Sequence, residues 1–210
     1  MKTGRPRSFD RDEALEGAIA VFWEHGYEAT SIALLTKTVG IGAASLYAAF
    51  GDKRALFLEA LDRYLGTYGA FTARALAEEA NARAAVERLL REAAAAYTRP
   101  DRPHGCLLIT AATNCSPQSA DMADRLRHLR AAGVRALEDK IAAASPDELP
   151  ARTDAHALAA FYSAVLQGMS AQARDGAERS DLERIAEAAL RAWPSAAGHG
   201  TGHGTGAAPA

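Results

Sequence analysis

The chain has 210 residues, 49% of them hydrophobic, and a formal net charge of −2; that suits one large domain or a small one fused to a larger, without the overall basic excess common in nucleic-acid binders. Alanine accounts for 51 residues, and because alanine is the best helix former and a poor strand former, the expected class is all-α. No apolar run approaches a membrane span, the N-terminus lacks a signal-peptide core, and two cysteines make no disulfide framework, so the expectation is a cytoplasmic protein with no membrane partner.

In chain order, residues 1–9 carry Lys2, Arg5 and Arg7 with no acid, and Gly4 and Pro6 oppose helix. They read as a flexible basic arm, although charge alone does not separate an arm from an ordinary disordered end. A helix is predicted from Asp10 as N-cap, with Glu13 as the capping-box partner. Leu15, Ala18, Ile19 and Phe22 follow at helical spacing, and Gly26 sits where a glycine would end the helix. Thr30 or Ser31 then caps a short helix carrying Ile32, Leu35 and Val39, which Gly40 breaks. A third covers roughly Gly42 to Ala49, and Gly51-Asp52 caps a fourth through Leu56, Phe57, Ala60, Leu61, Tyr64 and Leu65.

Val86, Leu89, Leu90, Ala93 and Tyr97 mark a fifth helix stopped by Pro100 and Pro103. Gly105 to Cys115 is short and very apolar, ending near Pro117. Met122, Leu126, Leu129, Val134, Leu137 and Ile141 mark a long helix ending before Pro146. Two more follow, one through Leu158, Phe161, Tyr162, Val165, Leu166 and Met169, the other through Leu182, Ile185, Ala189, Leu190 and Trp193. From Ser195 the sequence is glycine-rich with no core to join; His199 and His203 there are at best weak metal ligands. The expected architecture is about nine helices. It divides into the arm (1–9), a helix-turn-helix domain (10–55), a helical effector-binding and dimerisation domain (56–194) and the tail (195–210).

Residues 30–54 have the anatomy of a helix-turn-helix: two short helices meet at a tight turn whose Gly40 tolerates a left-handed backbone. Leu35, Val39, Ile41 and Leu46 are spaced to bury between the helices and against the first. Gly42, Ala43, Ala44, Ser45 and Tyr47 are thereby left at the start of the second, the end that enters a major groove. Lys37, Lys53 and Arg54 outweigh Asp52, for a local net charge of +2. Short helix pairs also occur as plain packing units. The specificity lies in GRPRSFDRDEAL, FWEHGYEATSI and, above all, GI–SLYAAFGDK–ALF. In order and spacing over residues 4–65, these strongly resemble the DNA-binding domain of the tetracycline-repressor (TetR) family.

The resemblance implies that Thr30 and Ser31 start the second helix, where hydroxyls and backbone N–H groups can grip a phosphate. It implies too that Ala43, Ala44 and Ser45 face base edges, that Tyr47 gives its phenol to a phosphate and that Lys53 supplies a second phosphate contact. From the charge of the arm, Arg5 and Arg7 are expected to reach an adjacent minor groove. Two departures stand out: Ala33-Leu34-Leu35 replaces the acidic residues that family members often carry early in the second helix, and Gly42-Ala43-Ala44 offers almost no hydrogen-bonding side chain. Alanine meets a thymine methyl but makes no bidentate contact to guanine or adenine, so specificity should lean on methyl contacts, the arm and DNA shape.

Beyond residue 65 the resemblance implies a homodimer that a small molecule releases from a palindromic operator. Ala157, Ala160 and Ala164, with Val165, Leu182, Ile185 and Ala189, are candidates for a close-packed four-helix dimer interface; the same residues would also serve an intrachain seam. Cys106, Ile109, Thr113, Met122, Leu126, Phe161, Tyr162 and Met169 are candidates for a pocket suiting an apolar or aromatic effector, though each alone reads as core. On one helix Cys106 and Cys115 would stand roughly 13 Å apart along the axis, too far for a disulfide. They read first as small buried hydrophobes, while His104 beside Cys106 keeps a thiol-based redox trigger open as an alternative. No metal cluster, phosphate-cradling glycine loop or nucleophile–base pair points to an all-α enzyme, and no cofactor is called for.

Overall fold

The structure, a computed structural model, describes residues 9–111 and 115–194. Arg5, Arg7, Thr113, His199 and His203 lie outside the described residues. Within them the fold is all-helical: α1 (Arg11–Ala29), α2 (Ile32–Val39), α3 (Ala43–Phe50), α4 (Lys53–Gly66), α5 (Phe71–Glu78), α6 (Ala82–Tyr97), α7 (Leu107–Thr110), a 3-10 turn (Pro117–Ser119), α8 (Ala120–Ala142), α9 (Ala155–Arg174) and α10 (Arg179–Arg191). The helix beyond the expected set is α5. It buries Phe71 and Ala75 but has no side-chain cap at its start, so neither periodicity nor capping announces it.

The Asp10 and Asp52 caps fall where the sequence places them, without a capping-box bond from Glu13 at α1. The Asp10 carboxylate accepts the Asp12 and Glu13 amides and Asp52 accepts that of Ala55, each satisfying donors that a helix start leaves without intrahelical partners. Gly26 breaks the regular helix as expected, with φ 75° and ψ 176°, and a further turn carries α1 on to Ala29. Gly17 answers a different need. A Cβ there would lie 2.8 Å from Val39 Cγ1, so glycine lets α2 lie directly against α1.

Two hydrophobic cores organise the chain. The first gathers Leu15, Ile19, Phe22 and Trp23 of α1 with Leu35, Leu46, Leu56, Phe57 and Leu61 of the next three helices. The Phe22 and Phe57 rings meet edge-on at 5.0 Å and those of Trp23 and Tyr64 at 4.8 Å. The second joins α5, α6, α9 and α10 around Val86, Leu90, Tyr97, Tyr162, Met169 and Leu182. Helix α8 belongs to both: Met122 and Leu126 enter the first core, Leu137 and Ile141 the second.

Polar bonds join the same two bodies. Trp23 Nε1 donates to Gly105 O at 3.2 Å, and Arg174, at the end of α9, donates to Trp23 O at 3.3 Å and Glu24 O at 3.0 Å. Gly105 is required there, since a Cβ would stand 2.8 Å from both oxygens of Ser170 and its φ is 76°.

Candidate nucleic-acid interface

Helices α2 and α3 meet at 95°, within the range for a helix-turn-helix. Gly40, at φ 69° and ψ 23°, supplies the left-handed residue that ends α2. Leu35 and Leu46 are fully enclosed and fix the pair against α1, while Val39 and Ile41 are half-buried. At the start of α3, Gly42, Ala43 and Ala44 are exposed and Ser45 is half-buried. Tyr47 is 47% exposed, a large hydrophobic side chain held out from the fold. Lys37 is exposed on α2.

Ser31 is the N-cap of α2, its hydroxyl accepting the Leu34 amide at 3.1 Å. The Thr30 hydroxyl departs from its expected role. The residue is buried and its Oγ1 donates to Gly26 O at 2.6 Å, so its hydroxyl is spent tying the end of α1 and is not displayed to a phosphate. Lys53, at the first residue of α4, lies with Nζ 3.4 Å from Glu28 O and 4.5 Å from the centre of the Tyr27 ring. Burial pulls its pKa below the usual lysine range. Arg54 pairs across to Asp121 at the start of α8, at 2.7 Å.

Sequence reasoning missed Arg11. It donates to both carboxylate oxygens of Glu59, at 2.5 and 2.7 Å, and to Ala49 O, and its guanidinium lies 4.4 Å from the Phe50 ring centre. It thereby ties the start of α1 to the end of α3. An arginine beside a capping Asp gives no sign in sequence of a partner 48 residues away.

The expected effector residues are not brought together. Met122 and Leu126 are core against α1 and α4, while Tyr162 and Met169 are core of the second body. Tyr162 donates its hydroxyl to Ala189 O at 3.1 Å, and burial pushes its pKa up to about 12. Phe161 faces outward, 42% exposed. Ile109 lines an open cleft of about 450 Å³ between the end of α1, α7 and the end of α9. The dimer candidates divide as well: Ala157, Ala160 and Ala164 are exposed and Val165 and Ile185 half-buried, but Leu182 and Ala189 are buried against their own chain. Periodicity marks a residue for burial without saying which neighbour covers it.

Cys106 and Cys115 are both free, and α7 spans only four residues between them, so the single-helix premise behind their expected separation fails. Cys106 packs against both cores and takes a bond from Tyr64 Oη at 3.4 Å. Burial pushes its thiol pKa up. Among the described residues no group of His, Cys, Asp and Glu is placed to hold a metal, and no single helix is long and apolar enough to cross a membrane.

Two family models match the chain: that of the bacterial regulatory proteins, tetR family, over residues 14–60, and that of the tetracyclin repressor-like C-terminal domain over residues 82–189. The chain is also 40% identical over 91% of its length to the HTH-type transcriptional repressor ComR of Escherichia coli K12, covering 92% of that protein. The chain belongs to the TetR family. It is 34% identical to a second relative, the HTH-type transcriptional repressor BdcR of the same organism, over 82% of this chain and 83% of that one. Among solved structures, a cysteine mutant of the TetR-family regulator CifR complexed with 26 bp double-strand operator DNA is 44% identical. It covers 91% of this chain and 100% of its own, with a TM-score of 0.86. With α2 and α3 arranged as a TetR-family reading head, the chain is a DNA-binding transcriptional regulator of the repressor type.

Proposed function

We propose that this TetR-family chain acts as a homodimer that represses transcription from a palindromic operator and lets go when a small molecule with an apolar or aromatic body binds. The observation that carries the reading is the start of α3. Gly42, Ala43 and Ala44 stand clear of the core, with Tyr47 exposed on the same helix and Lys53 at the start of the next. Such a surface can enter a major groove while Tyr47, Lys53 and the Ser31 end of α2 hold the phosphates on either side. Arg5 and Arg7 extend the same reading toward the minor groove. A regulator working this way needs no catalytic centre.

The exposed Ala157, Ala160 and Ala164 face of α9, with Phe161 beside it, supports pairing of two copies, because small residues let helices approach closely. Two reading heads then meet half-sites about 34 Å apart or somewhat more. A redox trigger at Cys106 finds less support, since a raised thiol pKa keeps the sulfur from the reactive thiolate form. The deciding experiment is selection of bound duplexes from fragmented genomic DNA by the purified protein, followed by titration of the recovered site. Recovery of an inverted repeat bound by two chains supports the reading; recovery of no preferred sequence removes it.

A further inference from the structure

We infer that Arg11, held by Glu59, is a positioning residue for sequence reading: it grips the carbonyl end of α3 and fixes the angle at which that helix meets a DNA groove, without itself touching DNA. The inference rests on the proposed placement of α3 in the groove and extends it to residues on α1 and α4. Helix α3 is eight residues long, begins at Gly42 without a side-chain cap and carries no basic residue in its last turn. So short a helix has little stability of its own, and its last carbonyls call for donors that it does not supply. Its orientation depends on what the neighbouring elements hold.

Packing alone leaves one freedom open. Leu46 and Phe50 are the buried side chains of α3, and at a spacing of four they form a single line along the helix. A helix anchored along one line can still roll about it, and a roll would swing Ala43, Ala44 and Tyr47 across the groove. Arg11 takes hold off that line. Its Nε and Nη2 both donate to Ala49 O at 3.4 Å, about a quarter turn around α3 from Phe50. Among the described residues no other side chain from a neighbouring element hydrogen-bonds to α3. Both bonds are long and share one acceptor, so what holds the guanidinium still matters more than their strength.

Glu59 holds it. Nη1 and Nη2 of Arg11 meet the two carboxylate oxygens at 2.5 and 2.7 Å, a forked pairing that fixes direction as well as distance. The guanidinium also lies over the Phe50 ring, 4.4 Å from its centre. One planar group thus serves a carboxylate of α4, a buried anchor of α3 and the carbonyl end of α3, a combination open to arginine and not to lysine. The two side chains are 31% and 37% exposed, and pairs so open to water contribute little to stability. With its charge answered by Glu59, Arg11 is better suited to setting geometry than to holding a phosphate.

The test uses the full chain, with fluorescence anisotropy on the selected operator and on an unrelated duplex of equal length at several salt concentrations. The readout is the ratio of the two affinities, in which a general change of charge cancels. Arg11→Gln and Glu59→Ala should each lower that ratio on the order of ten-fold, about what one lost base contact costs, with the salt slope unchanged. Glu59→Ala separates geometry from charge: removing an acid favours a polyanion, yet operator affinity is expected to fall. Arg11→Lys keeps the charge without the planar fork and should fall with Arg11→Gln. Urea midpoints of the three variants report stability separately. A lower midpoint with the parent ratio intact reduces the pair to a structural tie and overturns the inference. Tighter operator binding by Glu59→Ala, or the parent ratio kept by Arg11→Lys, overturns it too. So does a salt slope reduced by about one in Arg11→Gln, the mark of a phosphate contact. A parent protein with no operator preference would sink the placement of α3 and the inference with it, whereas a preference that the variants keep removes the positioning role alone.

Discussion

On the proposed reading, Lys53 is a side chain that meets a phosphate. Its ammonium lies between Glu28 O and the Tyr27 ring, and partial burial lowers its pKa. A DNA phosphate favours the charged form and raises that pKa again, so the complex holds the proton more tightly than the free protein. The sign follows directly. Where free Lys53 stays protonated, affinity does not depend on this group; as pH climbs through its depressed pKa, binding must take up a proton and affinity falls. Anisotropy titrations at rising alkaline pH should therefore show operator affinity declining below the usual lysine range, and Lys53→Arg should remove that decline. A flat profile in the parent protein would sink the assignment. Lys53→Gln should weaken operator and unrelated duplexes alike and reduce the salt slope by about one, as loss of a single phosphate contact requires.

On the same proposed reading, Ala43 and Ala44 would offer the groove methyl groups and nothing polar. Replacing a contacted thymine by uracil removes one methyl from the groove and should cost roughly 0.8 kcal/mol at that position, read by competition between the two duplexes. No penalty at any thymine would leave DNA shape to carry specificity. The exposed pattern at residues 42–47 was legible because burial of Leu35 and Leu46 is dictated by spacing and the rest follows by exclusion. The inward turn of Thr30 was not: Thr30 and Ser31 are both capping types, and only the position of Gly26 O decides which hydroxyl turns inward.

At the scale of elements, glycine positions carry much of the design. Gly26 has φ 75° and ψ 176°, a region essentially closed to residues with a Cβ. An added Cβ would meet Thr110 O at 3.5 Å and Ala111 Cα at 3.7 Å, which is ordinary contact, so the cost of Gly26→Ala is backbone strain. We expect a loss of about 1–3 kcal/mol, measured as a lower urea midpoint with an unchanged slope. Gly40→Ala, at a left-handed position with nothing within 4 Å of the new Cβ, should cost about 1 kcal/mol. If both changes proved neutral, the turns are not held as described. Helix ends were readable from such residues together with Asp10, Ser31 and Asp52. The identity of α7 was not, because an apolar run between Gly105 and Cys115 has no period long enough to separate a turn of helix from buried loop. Helix α5 escaped for lack of a cap and of a long apolar stripe.

At the scale of the molecule, what matters is which faces are used inside the chain and which remain open. Helices α9 and α10 bury Tyr162, Met169, Leu182 and Ala189 in their own core, yet α9 leaves Ala157, Ala160, Phe161 and Ala164 outward. An exposed aromatic flanked by alanines one turn apart is a surface that a second copy can cover at close range, and the dimer reading rests on it. Introducing a long charged side chain tests that surface without touching the core. Ala160→Arg or Ala164→Arg should shift the protein from dimer to monomer in light scattering, with helical content unchanged by circular dichroism. Operator affinity should fall steeply, because each half-site would then be bound without its partner. Leu182→Ala provides the contrast: a fully buried leucine truncated in the chain's own core should cost about 2–5 kcal/mol of stability and leave the association of the remaining folded molecules intact. If Ala164→Arg stayed dimeric while Leu182→Ala dissociated without loss of stability, the faces of the two helices are assigned the wrong way round.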